Sequence, residues 1–227
     1  MPRTLAIGDI HGHLAHLEAL LAAVAPAPDD HLIFLGDYID RGPDSASVLN
    51  RVIALCRTHK VSAIKGNHEQ MMLDARTNHE TFFEWFINGG DAALFSYAGA
   101  RGRIQDVPPE HWKFLETGLV DYVETDSHIF VHASADPSLE MKDQPEYMLR
   151  WERCDNIAPH FSTKTIVCGH TPQKSGRPLN RGYALCLDTY VYGPPGLLTC
   201  LDCSSGKIIQ ADRQLKISRS HISDYAD

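Results

Sequence analysis

The chain has 227 residues, 43% of them hydrophobic, and its 21 Lys and Arg against 29 Asp and Glu give a formal net charge of −8. That is enough apolar material for one domain with a sizeable core, and an acidic balance without a basic run argues against nucleic acid as a main partner, since such binding rests on basic surface. No apolar stretch approaches the ~18 residues that span a bilayer, and Met1-Pro2-Arg3-Thr4 leaves no room for a signal peptide before the first strand, so a cytoplasmic, membrane-free monomer with six reduced cysteines is expected.

Taken in order, Thr4-Leu5-Ala6-Ile7 reads as a buried strand entering Gly8-Asp9-Ile10-His11-Gly12, and Leu14, Leu17, Leu21 and Val24 then recur at helical spacing. Leu32-Ile33-Phe34-Leu35 is a second strand, entering Gly36-Asp37-Tyr38-Ile39-Asp40-Arg41-Gly42. Pro43 opens a helix through Val48, Leu49, Val52, Ile53 and Cys56. A third strand, Val61-Ser62-Ala63-Ile64, leads through Lys65 into Gly66-Asn67-His68-Glu69. The aromatics Phe82, Phe83, Trp85 and Phe86 predict a packed helix face, and Pro108-Pro109 opens a short helix that Gly118 closes. The second half is strand-rich: 128–132 ends in His132, 165–168 enters Gly169-His170, and 184–188, 197–202 and 207–211 follow, with Ser204-Ser205-Gly206 as a hairpin turn. The pattern predicts an α/β sandwich of two packed mixed sheets flanked by helices, as one domain over residues 1–212, with a polar, frayed tail over 213–227.

Five polar motifs at five strand ends can converge on one crevice, because ligands in open α/β sheets gather beyond the strand ends. Asp9, His11, Asp37, Asn67, His132 and His170 supply carboxylate, amide and imidazole but no thiolate, a ligand set for hard-to-borderline divalent cations. Six ligands are too many for one tetrahedral ion and suit two ions sharing a bridge, for which Asp37, in the middle motif, is the natural choice. A two-metal site activates water near neutral pH and stabilises both oxygens of an in-line displacement at phosphorus, among the most demanding of hydrolyses. Cys200 and Cys203 form a C-x-x-C with no second pair, and residues three apart on a strand face opposite ways, so they are read as structural.

Together the Gly-Asp-Ile-His-Gly, Gly-Asp-Tyr-Ile-Asp-Arg-Gly and Gly-Asn-His-Glu segments, His132 and Gly169-His170-Thr171-Pro172 resemble the phosphoprotein phosphatases of the calcineurin-like metallophosphoesterases, in their compact bacterial and phage form. The resemblance implies that Asp9, His11 and Asp37 hold one metal and that Asp37, Asn67, His132 and His170 hold the other, with manganese effective in assay and iron or zinc as native alternatives. It implies His68 as the acid for the leaving oxygen, Asp40 as its orienting carboxylate, and Arg41, Asn67 and Arg153 as phosphate contacts, with Arg150 a rival to Arg153. The expected substrate is a phosphorylated protein or peptide; a sister branch cleaves diadenosine polyphosphates. The pattern departs at Tyr190, where a glycine commonly follows the Asp188-Thr189 pair, so Tyr190 and Tyr192 are expected to shape the substrate rim.

Overall fold

The computed structural model describes residues 2–226. Strands and helices alternate in the first half as β1 (Thr4–Ile7), α1 (Leu14–Val24), β2 (His31–Phe34), α2 (Ser45–Thr58) and β3 (Lys60–Ala63). A helical stretch follows: α3 (Asn67–Ala75), α4 (His79–Trp85), α5 (Asp91–Ala98) and α6 (Pro109–Lys113). The rest comprises β4 (Tyr122–Glu124), β5 (His128–Val131), α7 (Glu146–Arg150), β6 (Thr165–Cys168), β7 (Leu179–Asn180), β8 (Ala184–Cys186), β9 (Leu198–Asp202), β10 (Lys207–Ala211) and β11 (Ile217–His221). Among the described residues no helix is long and apolar enough to cross a membrane.

The strands form two mixed sheets, ordered β11-β10-β9-β1-β2-β3 and β4-β5-β6-β8-β7. Period-two alternation explains why they stack. Ala6, Ile33, Phe130, Val167, Leu185 and Leu201 meet between the sheets. Their neighbours Leu5, Ile7, Leu32 and Phe34 face the helices α1 and α2 on one outer side, and Ile129, Val131, Ile166 and Cys168 fill the other. Each fully buried side chain of this size contributes about 1.5–3 kcal/mol, so a one-residue slip of any central strand would expose its core set. Cys200 packs on the helix side of its sheet while Cys203 lies against the inter-sheet layer, so the C-x-x-C pair does face opposite ways.

Parallel pairing places the loops. β1, β2 and β3 run parallel in one sheet, and β5, β6 and β8 run parallel in the other. Their carboxyl ends open onto the same crevice, joined across the sheets where the His170 amide donates to Asp9 Oδ2 at 3.0 Å.

The C-terminal expectation is corrected. Residues 217–221 are not a frayed tail but strand β11, paired antiparallel with β10 from Lys207↔His221 to Ala211↔Ile217. Without it β10 would present an open edge. As an edge strand with mostly exposed, polar side chains it carries no apolar alternation, which is why the segment reads as a tail.

Candidate active site

Each strand-end loop is fastened to the next by its backbone. The amides of Ile10 and His11 donate to the Asp37 carbonyl at 3.0 and 2.8 Å, and Gly12 donates to Tyr38 at 2.8 Å. Glu69, fully buried at the start of α3, accepts from the amides of Asp37, Tyr38 and Gly66 at 2.9, 2.8 and 2.9 Å, so one carboxylate joins the second loop to the third. The packing is too close for side chains at two glycines: a Cβ on Gly66 would lie 2.2 Å from Asp37 Oδ1, and one on Gly169 would lie 2.0 Å from Asp9 Oδ1. His11, Asp37, Asp40, Arg41 and His170 all adopt left-handed backbone, with φ between 43° and 70°. Such conformations cost about 1–3 kcal/mol each and persist where the surroundings over-determine them, which is common at functional sites.

The imidazoles point their lone pairs inward. Nδ1 of His11 donates to the Ile39 carbonyl at 2.9 Å, Nδ1 of His132 to Leu35 at 2.8 Å, and Nε2 of His170 to Trp151 at 3.1 Å. A carbonyl only accepts, so each ring carries its proton on that outer nitrogen and leaves the other as a bare acceptor. Those bare nitrogens face more acceptors: His11 Nε2 is 3.4 Å from Asp37 Oδ2, and His132 Nε2 is 3.4 Å from Asp37 Oδ1. Protonating the rings would relieve the conflict, but burial holds His11 well below the usual histidine value and His132 below it, and burial with the neighbouring His132 brings His170 down to about 4. Burial opposes ionisation of Asp37 as well, yet His132, His68, His11 and His170 around it keep its carboxyl far below the usual range. An ionised bridge among neutral imidazoles, each held by a backbone carbonyl, is the protonation state and outer support that divalent cations require.

Two groups of potential ligands result. The ligand atoms of Asp37, His132 and His170 lie within 4.8 Å of one another, with Asn67 Oδ1 at 2.9 and 3.1 Å from His132 and His170. The ligand atoms of His11, Asp37 and His68 form the other group, so Asp37 is common to both. Asp9 belongs to neither: its carboxylate accepts the His170 amide and stands near Asp37, Asp188 and Arg41 at the rim of the site.

His68 differs from the other imidazoles in having a carboxylate behind it. Its Nδ1 lies 2.6 Å from Asp40 Oδ2, and Asp40, itself fully buried, is held from the far side by the indole nitrogen of Trp85 at 2.9 Å. Burial alone would lower His68, but Asp37 and the Asp40 hydrogen bond outweigh it and raise the ring above its ordinary value. His68 is therefore the imidazole equipped to carry a proton. Its Nε2 lies 3.9 Å from Asp37 Oδ2, within the group formed with His11. Arg41 reaches the same place: its Nη1 donates to His11 Nε2 at 2.9 Å and its guanidinium lies 4.3 Å over the Tyr192 ring. A planar guanidinium at this position matches phosphoryl oxygens bidentately.

Residues 2–174 match the family model described as calcineurin-like phosphoesterase. The chain belongs to the calcineurin-like phosphoesterase family. Over 86 residues it is 45% identical to serine/threonine-protein phosphatase 1 of Salmonella typhimurium, covering 37% of this chain and 38% of that one. Over 69 residues it is 46% identical to the symmetrical bis(5'-nucleosyl)-tetraphosphatase of Ralstonia nicotianae, covering 30% of this chain and 23% of that one. The chain thus spans well under half the length of these curated relatives. Among solved structures, the cold-active protein-tyrosine phosphatase of a Shewanella species shares the fold with a TM-score of 0.66 at 19% identity, over 96% of this chain and 80% of that one.

Within this phosphoesterase site the two arginines depart from expectation. The Arg153 side chain is 60% exposed, and its Nη2 and Nε both donate to Asp155 Oδ2, at 2.8 and 3.0 Å. Arg150, its rival, is buried: it pairs with Asp121 at 2.5 Å and Glu146 at 3.1 Å, and its charge is felt by His132. The reason is local. α7 docks on the loop after β5, Ala133 and Ser134 donating to the carbonyls of Leu149 and Met148, which turns Arg150 inward and leaves Arg153 beyond the helix end.

Sequence reasoning missed two supporting residues. Glu69 was visible only as part of Gly-Asn-His-Glu, although its place three residues after a helix cap is the signal of a carboxylate that binds backbone amides. Trp85 was legible only as an aromatic on a packed face. The other rings of that segment divide: Phe83 is 60% exposed, and Phe86, 40% exposed, walls a cleft beside Arg41. Tyr192 does border the site, edge-on to His11 at 4.9 Å, and Tyr190, at φ 63°, holds the left-handed position that explains why glycine suits it.

Proposed function

We propose that the chain is a cation-dependent phosphomonoesterase acting on phosphoserine and phosphothreonine in proteins or peptides, as one catalytic domain that takes in strand β11. The observation that carries the reading is the buried His68–Asp40 pair, at 2.6 Å, where two groups of potential ligands, one of them including His68, share Asp37. Asp37, Asn67, His132 and His170 would hold one divalent cation, and His11 and Asp37, with Asp9 at their rim, would hold the other. When bound, the two cations, manganese in an assay and iron or zinc as alternatives, would bring the pKa of water toward ~7 and neutralise phosphoryl charge.

The protein's own groups do the rest. Arg41 grips two phosphoryl oxygens and orients the ester. Nε2 of His68 gives its proton to the departing serine or threonine oxygen, while Asp40 keeps the Nδ1 proton in place and stabilises the imidazolium before transfer. Trp85 fixes Asp40 in turn. The fixed acid matters most for an alkoxide, the poorest of the leaving groups considered.

The cleft beside Arg41 supports a peptide substrate. It measures about 510 Å³ and is walled by Phe86, Leu94 and Phe95, with Arg41 as its one basic lining residue and Asp91 as an acidic one. That lining suits an apolar side chain flanking the phosphorylated residue, and offers no row of cations to a polyphosphate chain. The alternative, dinucleoside polyphosphate hydrolysis, has its support in the likeness to the Ralstonia enzyme over 69 residues. Manganese-loaded protein presented with a phosphoserine peptide, a phosphotyrosine peptide and diadenosine tetraphosphate separates the readings. Phosphoserine turnover with some phosphotyrosine turnover is expected, since Arg41 and the cations read only the phosphoryl group. A kcat/KM for the dinucleotide tenfold above every phosphopeptide would replace this reading by the alternative.

A further inference from the structure

Asp188 lies two residues beyond the end of β8, a sixth strand end opening onto the crevice beside those that carry Asp9 and His170. Its side chain is 1% exposed. One carboxylate oxygen, Oδ1, accepts the Tyr190 amide at 3.1 Å and closes the turn. The other, Oδ2, is buried and meets no amide, hydroxyl or cationic donor among the described residues; the side chain it approaches is the Asp9 carboxyl, itself an acceptor when ionised. Around it stand Asp9, Asp37 and Arg41, and Asp188 is the charged neighbour that acts most strongly on Asp9.

The turn alone does not explain an aspartate here. An asparagine side chain would accept the Tyr190 amide equally well and would add no charge to a buried site that already holds Asp9 and Asp37. A buried carboxylate oxygen with no donor is costly, by about 1–3 kcal/mol or more when charged, unless a positive partner meets it. Arg41 acts on both Asp9 and Asp188, but its hydrogen bond goes to His11 rather than to either carboxylate.

We propose that Asp188 is a further residue of the cation site, its free Oδ2 contributing, with Asp9, to holding the cation shared by His11 and Asp37. The inference rests on the two-cation reading and concerns only one of the two positions. It also gives Asp9 a role consistent with its place at the rim: the two carboxylates act as a pair on the side of the site that lacks an asparagine and a second histidine.

The test is manganese titration of the chelator-stripped full chain, with free manganese followed by its electron paramagnetic resonance signal and the melting temperature of the stripped protein recorded beside it. The wild type should bind two ions. Asp188→Asn, which keeps the acceptor for Tyr190, should weaken one of them by about 10–100-fold, the effect typical of removing a supporting group from a metal site, leave the other within twofold, and leave the stripped protein no less stable. Thr189→Val is the control for loop geometry: Thr189 bonds the Leu197 carbonyl and Thr199 at 2.8 and 2.6 Å, so its loss should lower stability while both manganese affinities stay. Two unchanged affinities in Asp188→Asn would overturn the inference alone, and equal weakening by Thr189→Val would assign the effect to the loop rather than the carboxylate. A wild type that binds no manganese would overturn the inference together with the reading beneath it.

Discussion

Replacing His68 by asparagine removes one proton carrier from a site whose other three imidazoles are already committed. His11, His132 and His170 each donate outward to a carbonyl, so none can take over the leaving oxygen. A positioned general acid contributes about 10²–10⁴-fold, or about 2.7–5.4 kcal/mol at 1.36 kcal/mol per decade. Asp40→Asn should cost less, because it removes only the charge-assisted hydrogen bond at 2.6 Å, worth about 1.5–3 kcal/mol, and leaves the ring in place. On a phosphoserine peptide we therefore expect His68→Asn to lose 10²–10⁴ in kcat and Asp40→Asn roughly 10–150-fold, with bound metal unchanged in both. With p-nitrophenyl phosphate, whose leaving group departs without a proton, both losses should shrink by at least tenfold. Equal losses on the two substrates would refute the acid role, and loss of a metal ion from His68→Asn would make His68 a ligand, as its closeness to His11 and Asp37 allows.

Other outcomes follow from the packing. Arg150→Ala should destabilise the protein by about 1–3 kcal/mol, mainly through the lost packing of a buried side chain, since its partners Asp121 and Glu146 are exposed, whereas Arg153→Ala should stay within ~0.5 kcal/mol; denaturant midpoints check both, and a reversed order would contradict the burial described for them. Asp30 is opposed by burial but bound by Arg3 and by the Arg3 and Ala27 amides, which bring its carboxyl down to about 2. Because the folded value lies below the unfolded one near ~3.9, this stability is present above pH ~4 and is lost as pH falls through about 2. Asp30→Asn should thus lose about 2.5 kcal/mol at pH 7, only about 0.4 kcal/mol at pH 2 and almost nothing near pH 1; a loss independent of pH would show that packing, not charge, holds that corner.

The sandwich and its crevice are legible in the sequence because period-two strands and glycine-bounded polar ends are local patterns. Asp37, His68, His132 and His170 stand where strand ends predict them. What escapes is set by contacts between distant residues. Trp85 meets Asp40 across 45 residues, and nothing in a Phe-Phe-Glu-Trp run says which ring turns inward. Arg150 and Arg153 sit three apart at a helix end, and which of them faces the protein depends on how α7 docks against the β5 loop. β11 is invisible because an exposed edge strand needs backbone pairing and little apolar pattern. Tyr190 is a different case: the departure from glycine is plain in the sequence, but its left-handed backbone is not.

The central claim is that two cations share Asp37. Metal content of the purified, manganese-reconstituted protein tests it most directly, by counting ions per chain in the wild type and in Asp37→Ala. Two ions in the wild type and none held tightly in the variant are predicted, with phosphatase activity lost on chelation and restored by manganese. Two tightly bound ions in Asp37→Ala would contradict it.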